Sequence, residues 1–208
     1  IPCQTSREEQ YVADAITRKH LSGSGHYTRK CEELLEKHLK VPKVMLTTSG
    51  THALEICSIL VSKMYPDDMR RGGAVLPTFT FSSTANAFIR EFNVRFCDIF
   101  PDTLNMDLGS YKWVGDERVI VPVHYAGVSC DMEQISLAAK FRSLQVVEDA
   151  AHALFGKYSG KFLGTFGPVA AVSFHETKNF QCGEGGAVII SDSTLIRPAE
   201  RMRDKGTN

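Results

Sequence analysis

Lys178 stands at the end of Val172-Ser173-Phe174-His175-Glu176-Thr177-Lys178, just past a short apolar run of the kind that forms a buried strand. A lysine that is partly desolvated gives up its proton more readily and becomes a nucleophile toward aldehydes, whereas an ordinary surface lysine stays a solvated charge. Val146-Val147-Glu148-Asp149-Ala150-Ala151-His152 ends a second such run in two carboxylates. Strand alternation sends them to opposite faces, so one should point toward a strand-end crevice, where an ionised carboxylate could hold a ring nitrogen protonated. Simple solvation of both acids at the strand end is the competing reading.

Two further strand ends carry binding rather than reacting groups. In Leu46-Thr47-Thr48-Ser49-Gly50-Thr51-His52-Ala53 a strand gives way to a helix through small hydroxyl residues and a glycine. Free backbone N–H groups and the helix dipole make such a turn a phosphate cradle, although plain N-capping by Ser49 or Thr51 explains it as well. There is no Walker motif, which argues against a nucleotide triphosphatase. In Pro77-Thr78-Phe79-Thr80-Phe81-Ser82-Ser83-Thr84-Ala85-Asn86 an aromatic face could stack on a flat ring, or the phenylalanines could simply enter the core.

Cys182-Gly183-Glu184-Gly185-Gly186 after the lysine lets backbone approach a bound group, or makes a turn. His124 and Tyr125, after another apolar run, read as strand-end structure lining the site with no chemistry of their own. Neither the histidines nor the six scattered cysteines show metal-ligand spacing, so no metal site and reduced thiols are expected.

The elements that must position these groups are legible as β-rich apolar runs at 44–48, 74–78, 94–99, 118–125, 145–151, 169–175 and 186–191. Amphipathic stretches at 7–20, 28–40, 51–64 and 132–141 alternate with them. That pattern predicts an α/β fold, a mostly parallel seven-stranded sheet with helices on both faces. Pro122 lacks a ladder donor and predicts an edge strand or a bulge. Residues 65–73 read as a polar loop and 108–117 as a shortened connection.

Lys plus Arg and Asp plus Glu both number 24, so no surplus charge attracts nucleic acid or an anionic membrane. No apolar run approaches the roughly 18 residues of a membrane span, and the charged N-terminal stretch does not resemble a signal peptide. A cytoplasmic location with no membrane partner is the expectation. Gly23-Ser24-Gly25 follows no strand and lacks the third glycine of a dinucleotide fingerprint, which disfavours a nicotinamide dehydrogenase.

Cradle, aromatic, acid pair and lysine, in this order and at strand ends, together resemble the DegT/StrS-type sugar aminotransferases of fold-type I, over residues 23–208. The resemblance implies pyridoxal 5'-phosphate as cofactor. Lys178 would be the catalytic lysine that carries it as a Schiff base, and Asp149 the partner of its ring nitrogen. Phe81 would stack on the ring, with His152 beside it, while Thr51, the backbone at His52, and Ser173 would hold the phosphate. His52 replaces the family's usual alanine, a change that a backbone contact tolerates.

Lys178 also favours amino transfer over the family's dehydratases, some of which carry histidine there. Glutamate as donor, a nucleotide-linked 4-keto-6-deoxy sugar as acceptor and a homodimer in the full-length protein are implied in the same way. A narrower likeness, carried by Ser-Thr-Ala-Asn-Ala-Phe, Pro-Asp-Thr-Leu-Asn-Met-Asp, Val-His-Tyr-Ala-Gly-Val and Ser-Phe-His-Glu-Thr-Lys-Asn, is to the transaminases forming dTDP-4-amino-4,6-dideoxygalactose for surface polysaccharide. The domain expectation is an N-terminal helical segment at 1–22 and a cofactor-binding large domain at 23–208, truncated before the family's small C-terminal domain. An inactive fragment, or a sugar-nucleotide-binding module of the same fold, is the alternative.

Overall fold

The computed structural model describes residues 7–20, 22–69 and 71–206, the side chain of Asp68 excepted. The start of the expected N-terminal segment and the terminal Thr207-Asn208 lie outside them. Seven strands form the main sheet: β1 (Lys43–Thr47), β2 (Gly73–Pro77), β3 (Asn93–Cys97), β4 (Glu117–Ile120), β5 (Gln145–Asp149), β8 (Val169–Ser173) and β9 (Gly186–Ile190). A short hairpin, β6 (Lys157–Tyr158) with β7 (Lys161–Phe162), stands apart from it. The sheet order is β1-β9-β8-β5-β4-β2-β3. β9 runs antiparallel to both its neighbours and every other pairing in the sheet is parallel.

The strands hold because both faces are covered. Every residue of β2, β8 and β9 is buried, as continuous apolar runs require. On one face α2 (His26–Leu39) and α5 (Met132–Arg142) place Leu35, Leu39, Met132, Ile135 and Ala139 against Val75, Ile120 and Val146. On the other, α3 (Gly50–Ser62), α4 (Ser82–Phe88) and α6 (Ile196–Arg203) place Leu54, Leu60, Phe88 and Ala199 against Leu76, Val147 and Val188. Each fully buried aliphatic or aromatic side chain stabilises by about 1.5–3 kcal/mol. Ser49 caps α3 and Asp131 caps α5, each side chain accepting a backbone N–H of the first turn.

α4, α6 and the hairpin were not foreseen. α4 spans Ser82-Ser83-Thr84-Ala85-Asn86-Ala87-Phe88, whose hydroxyls mask its short apolar stripe. Of the two expectations for Pro122 the edge position is wrong: β4 lies between β2 and β5 in the interior of the sheet, and its pairing with β2 carries a register shift at Gly73/Ala74. The missing donor is not needed there: Val121 N–H still reaches the Val75 carbonyl, the Pro122 carbonyl accepts from Asp149 N–H, and beyond the proline Val123 bridges Asp149, with His124 N–H on the Asp149 carbonyl.

Residues 98–116 connect β3 to β4 without a helix. Buried Glu117 organises the end of this connection, accepting from Val114 N–H, Gly115 N–H and the Tyr111 hydroxyl, with Arg95 alongside. An additional helix, α1 (Glu8–Thr17), has no buried residue. Among the described residues no helix is long and apolar enough to cross a membrane.

Candidate active site

A cleft of about 650 Å³ opens where β1, β2, β4, β5 and β8 end, and the predicted strand-end groups converge on it. Thr51, Phe81, Asp149, His152, Ser173 and Lys178 all line this one cavity. His52 is not part of the lining. Its backbone N–H is taken by the Ser49 hydroxyl at 3.2 Å, and its ring packs on the Thr48 hydroxyl.

Lys178 sits on a loop returning from β8 to β9. Phe174 N–H donates to the Gly185 carbonyl, Glu176 N–H to Gly183, and Cys182 N–H to Phe174, which closes the loop on itself. The ring of Phe180 meets Phe155 at 5.1 Å and pins it from outside. Among the described residues no hydrogen bond or ion pair holds the Lys178 amine. Burial lowers its pKa below 10.5, and the charge of Asp149 opposes that only in part. The surface-lysine reading therefore gives way to a half-buried, unpaired amine.

Neither acid is solvated. Asp149, only 4% exposed, accepts from the Thr84 hydroxyl at 2.7 Å on one oxygen and from Ala151 N–H at 3.1 Å on the other. Glu148 turns to the opposite face, as alternation requires, and is fully buried. One of its oxygens accepts from Phe166 N–H and Gly167 N–H, the other from Gly164 N–H and the His124 Nε2. Because Cys130 N–H donates to His124 Nδ1, the ring proton belongs on Nε2. Glu148 is thus a clip that ties β5 to residues 164–167 and to the turn beginning at His124.

That turn shapes the cleft wall. Ala126, held at φ +51°, donates its N–H to His152 Nδ1 at 3.1 Å, which leaves Nε2 to carry the His152 proton. Burial first, and the nearby Lys178 charge second, push the His152 pKa below 6.5. The Tyr125 ring lies edge-on to Phe79 at 4.8 Å and to His152 at 5.4 Å. Among the described residues Phe81 has neither a core place nor a ring partner: it is 76% exposed at the N-cap of α4.

The turn entering α3 is capped by Ser49 and still leaves helix donors open. Ser49 satisfies the third N–H of the helix, leaving those of Gly50 and Thr51 unclaimed by the helix itself. Glycine is required here for close approach. A Cβ on Gly50 would lie 2.8 Å from that of Ser173, and a Cβ on Gly186 would lie 2.4 Å from the Ser49 carbonyl oxygen. The glycine-rich stretch after the lysine therefore seats β9 against the Ser49-Gly50 turn.

Residues 2–208 match the DegT/DnrJ/EryC1/StrS aminotransferase family. The chain belongs to that family. Across 208 aligned residues it is 32% identical to the GDP-perosamine synthase of Escherichia coli O157:H7, an alignment covering 99% of this chain and 56% of that protein. The aminotransferase from Psychrobacter cryohalolentis superposes with a TM-score of 0.90 at 26% identity, covering all of this chain and 52% of that one. A sugar aminotransferase, Spr1654 from Streptococcus pneumoniae, described as putative and solved in its PLP form, superposes at 0.78 with 25% identity, over 98% of this chain and 55% of that one. The chain thus spans about half the length of the relatives it matches.

With the DegT/DnrJ/EryC1/StrS family fold in view, the cleft contains groups to which sequence reasoning gave no role. Phe79, Thr80, His175 and Glu184 line it, and His175 Nε2 pairs with Glu184 at 3.4 Å. Thr84, fully buried behind Asp149, was quoted without a role because the helix that turns it inward was not recognised. A second concavity, near Lys63, Arg197 and Arg201, contains none of the predicted groups.

Proposed function

We propose that residues 23–208 form the cofactor-binding unit of a pyridoxal-phosphate-dependent aminotransferase acting on a nucleotide-linked sugar. One observation carries this reading: an unpaired, half-buried amine, a fixed carboxylate and an exposed aromatic face share one cleft with an open helix N-terminus. The residues fit the group. Gly50 and Ser173 pack so tightly that an added Cβ would fill the cradle, and Gly50 N–H, Thr51 and Ser173 surround a space suited to a phosphate.

When bound, pyridoxal phosphate supplies an aldehyde that condenses with amines and a ring that withdraws electrons as a neighbouring carbon loses its proton. Asp149 would keep the ring nitrogen protonated by accepting its N–H. Its orientation is fixed by donors on both oxygens. Lys178 would hold the cofactor's aldehyde through Nζ, and the same amine, placed in the cleft, could accept and return a proton there. Lowering of its pKa by burial raises the neutral fraction needed for both tasks. Phe81 would cover the ring face, and His152, whose Nδ1 accepts from Ala126 N–H, would offer Nε2–H beside it.

For the acceptor we propose a 4-keto-6-deoxy sugar on a nucleotide, with glutamate as donor and a homodimer as the working unit. The dTDP-4-amino-4,6-dideoxygalactose transaminases remain the finer assignment suggested by the motifs. A GDP-linked sugar competes with it because the E. coli relative is a GDP-perosamine synthase. The purified protein, given pyridoxal phosphate and glutamate, should convert the cofactor from its aldehyde to its amine form. Reoxidation by dTDP- or GDP-linked keto sugar then identifies the acceptor. No glutamate-dependent conversion would favour an inactive or purely binding module.

A further inference from the structure

The acid that faces the cleft is itself held by a chain of hydroxyls. Thr80 Oγ1 lies 2.7 Å from Thr84 Oγ1, and Thr84 Oγ1 lies 2.7 Å from Asp149 Oδ2. A hydroxyl has one proton to donate, and an ionised carboxylate can only accept. Thr84 must therefore give its proton to Asp149 and receive one from Thr80. Ala151 N–H occupies the other oxygen at 3.1 Å.

Thr84 is fully buried and Asp149 nearly so, hence water does not replace the bond between them. Hydrogen bonds to an ionised group are shorter and roughly twice as strong as neutral ones, and successive bonds polarise one another. Thr84 and Phe81 also belong to one element: Phe81 stands at the N-cap position of α4, and Thr84 N–H bonds the Phe81 carbonyl at 3.1 Å. One short helix thus holds both the exposed aromatic and the donor that orients the acid.

We propose that Thr80 and Thr84 form a positioning relay that aims the Asp149 carboxylate at a ring nitrogen in the cleft. Thr80 is the outer member, lining the cleft, and Thr84 the buried one. The relay rests on the cofactor reading above and adds to it a requirement for two specific hydroxyls. A side chain that merely filled space at 84 would serve equally well as valine, which has nearly the same shape.

The test is binding of pyridoxal phosphate and of its 1-deaza analogue, in which carbon replaces the ring nitrogen, measured by equilibrium dialysis without any turnover. In the wild type the phosphate, aldehyde and stacking contacts are common to both, so preference for pyridoxal phosphate reports the Asp149 contact. Thr84→Val should reduce that preference about tenfold, the loss of roughly one charge-assisted hydrogen bond. Thr84→Ser should keep it, and Thr80→Val should reduce it about threefold.

Equal weakening of both ligands in Thr84→Val, or an unchanged preference in Thr80→Val, would overturn the relay. The Thr80 variant keeps the proposal open to refutation even if Thr84→Val does not fold, because residue 80 is at the cleft surface. A wild type that binds both ligands alike would overturn the ring-nitrogen role of Asp149, and the relay with it. A wild type with a clear preference that neither variant alters would overturn the relay alone.

Discussion

Replacing Glu148 by glutamine should destabilise the protein far more than so conservative a change suggests. Each Glu148 oxygen accepts two bonds, Oε1 from Phe166 N–H and Gly167 N–H, and Oε2 from Gly164 N–H and His124 Nε2–H. Glutamine keeps one acceptor and presents an NH2 donor in place of the other. Whichever way the amide turns, two donors then face a donor at a site with no exposure to water. Hydrogen bonds to a charged group contribute roughly 1.5–3 kcal/mol each, so losing two costs about 3–6 kcal/mol. Against a typical total of about 5–15 kcal/mol that is a large fraction.

For a chain of this size each 1 kcal/mol lowers Tm by about 2–4 °C, which gives a fall on the order of 6–24 °C in a thermal melt followed by circular dichroism. The same substitution frees His124 and the turn whose Ala126 N–H orients His152, so cofactor affinity should fall as well. A Glu148→Gln protein that melts within about 2 °C of wild type would refute the clip, since even one lost bond of this kind exceeds that.

Gly186→Ala should destabilise by roughly 1–3 kcal/mol, because its Cβ would press on the Ser49 carbonyl and Gly50 nitrogen, which are backbone and cannot swing aside; denaturant titration reads the loss, and phosphate-bearing ligands should bind more weakly. Lys178→Met should raise the His152 pKa toward 6.5 by removing a positive neighbour, a shift visible in the imidazole proton resonances; no movement would mean the two side chains do not sense each other.

Lys178 should react with amine-modifying reagents at lower pH than surface lysines do, and Asp149→Asn should lower its midpoint further, because the Asp149 charge now raises it. The unfolded lysine keeps its proton up to about 10.5, so in the window below that value the unfolded chain binds more protons and the Lys178 contribution to stability rises with pH.

The seven sheet strands were legible because strands buried on both faces are written as continuous apolar runs, and the site groups because each follows such a run. Strand ends were less so: β4 stops at Ile120 although apolar residues continue to Val123, because Pro122 has no N–H to donate and only an isolated bridge, Val123 to Asp149, follows it. α4 was hidden by the serines and threonine in its sequence, and with it went the inward direction of Thr84. The fates of Glu148 and Asp149 depend on partners 16 to 65 residues away, Gly164 for one and Thr84 for the other, and no local pattern encodes such pairings. The exposure of Phe81 likewise follows from its place at a helix cap, not from its own apolar character.

The central claim, that Lys178 is the amine that binds the cofactor, is tested by mixing the protein with pyridoxal phosphate, reducing with borohydride and mapping the modified peptide. A single stoichiometric label on Lys178, absent from Lys178→Met, is the expected result. A label distributed over other lysines, or located at another single lysine, would contradict it.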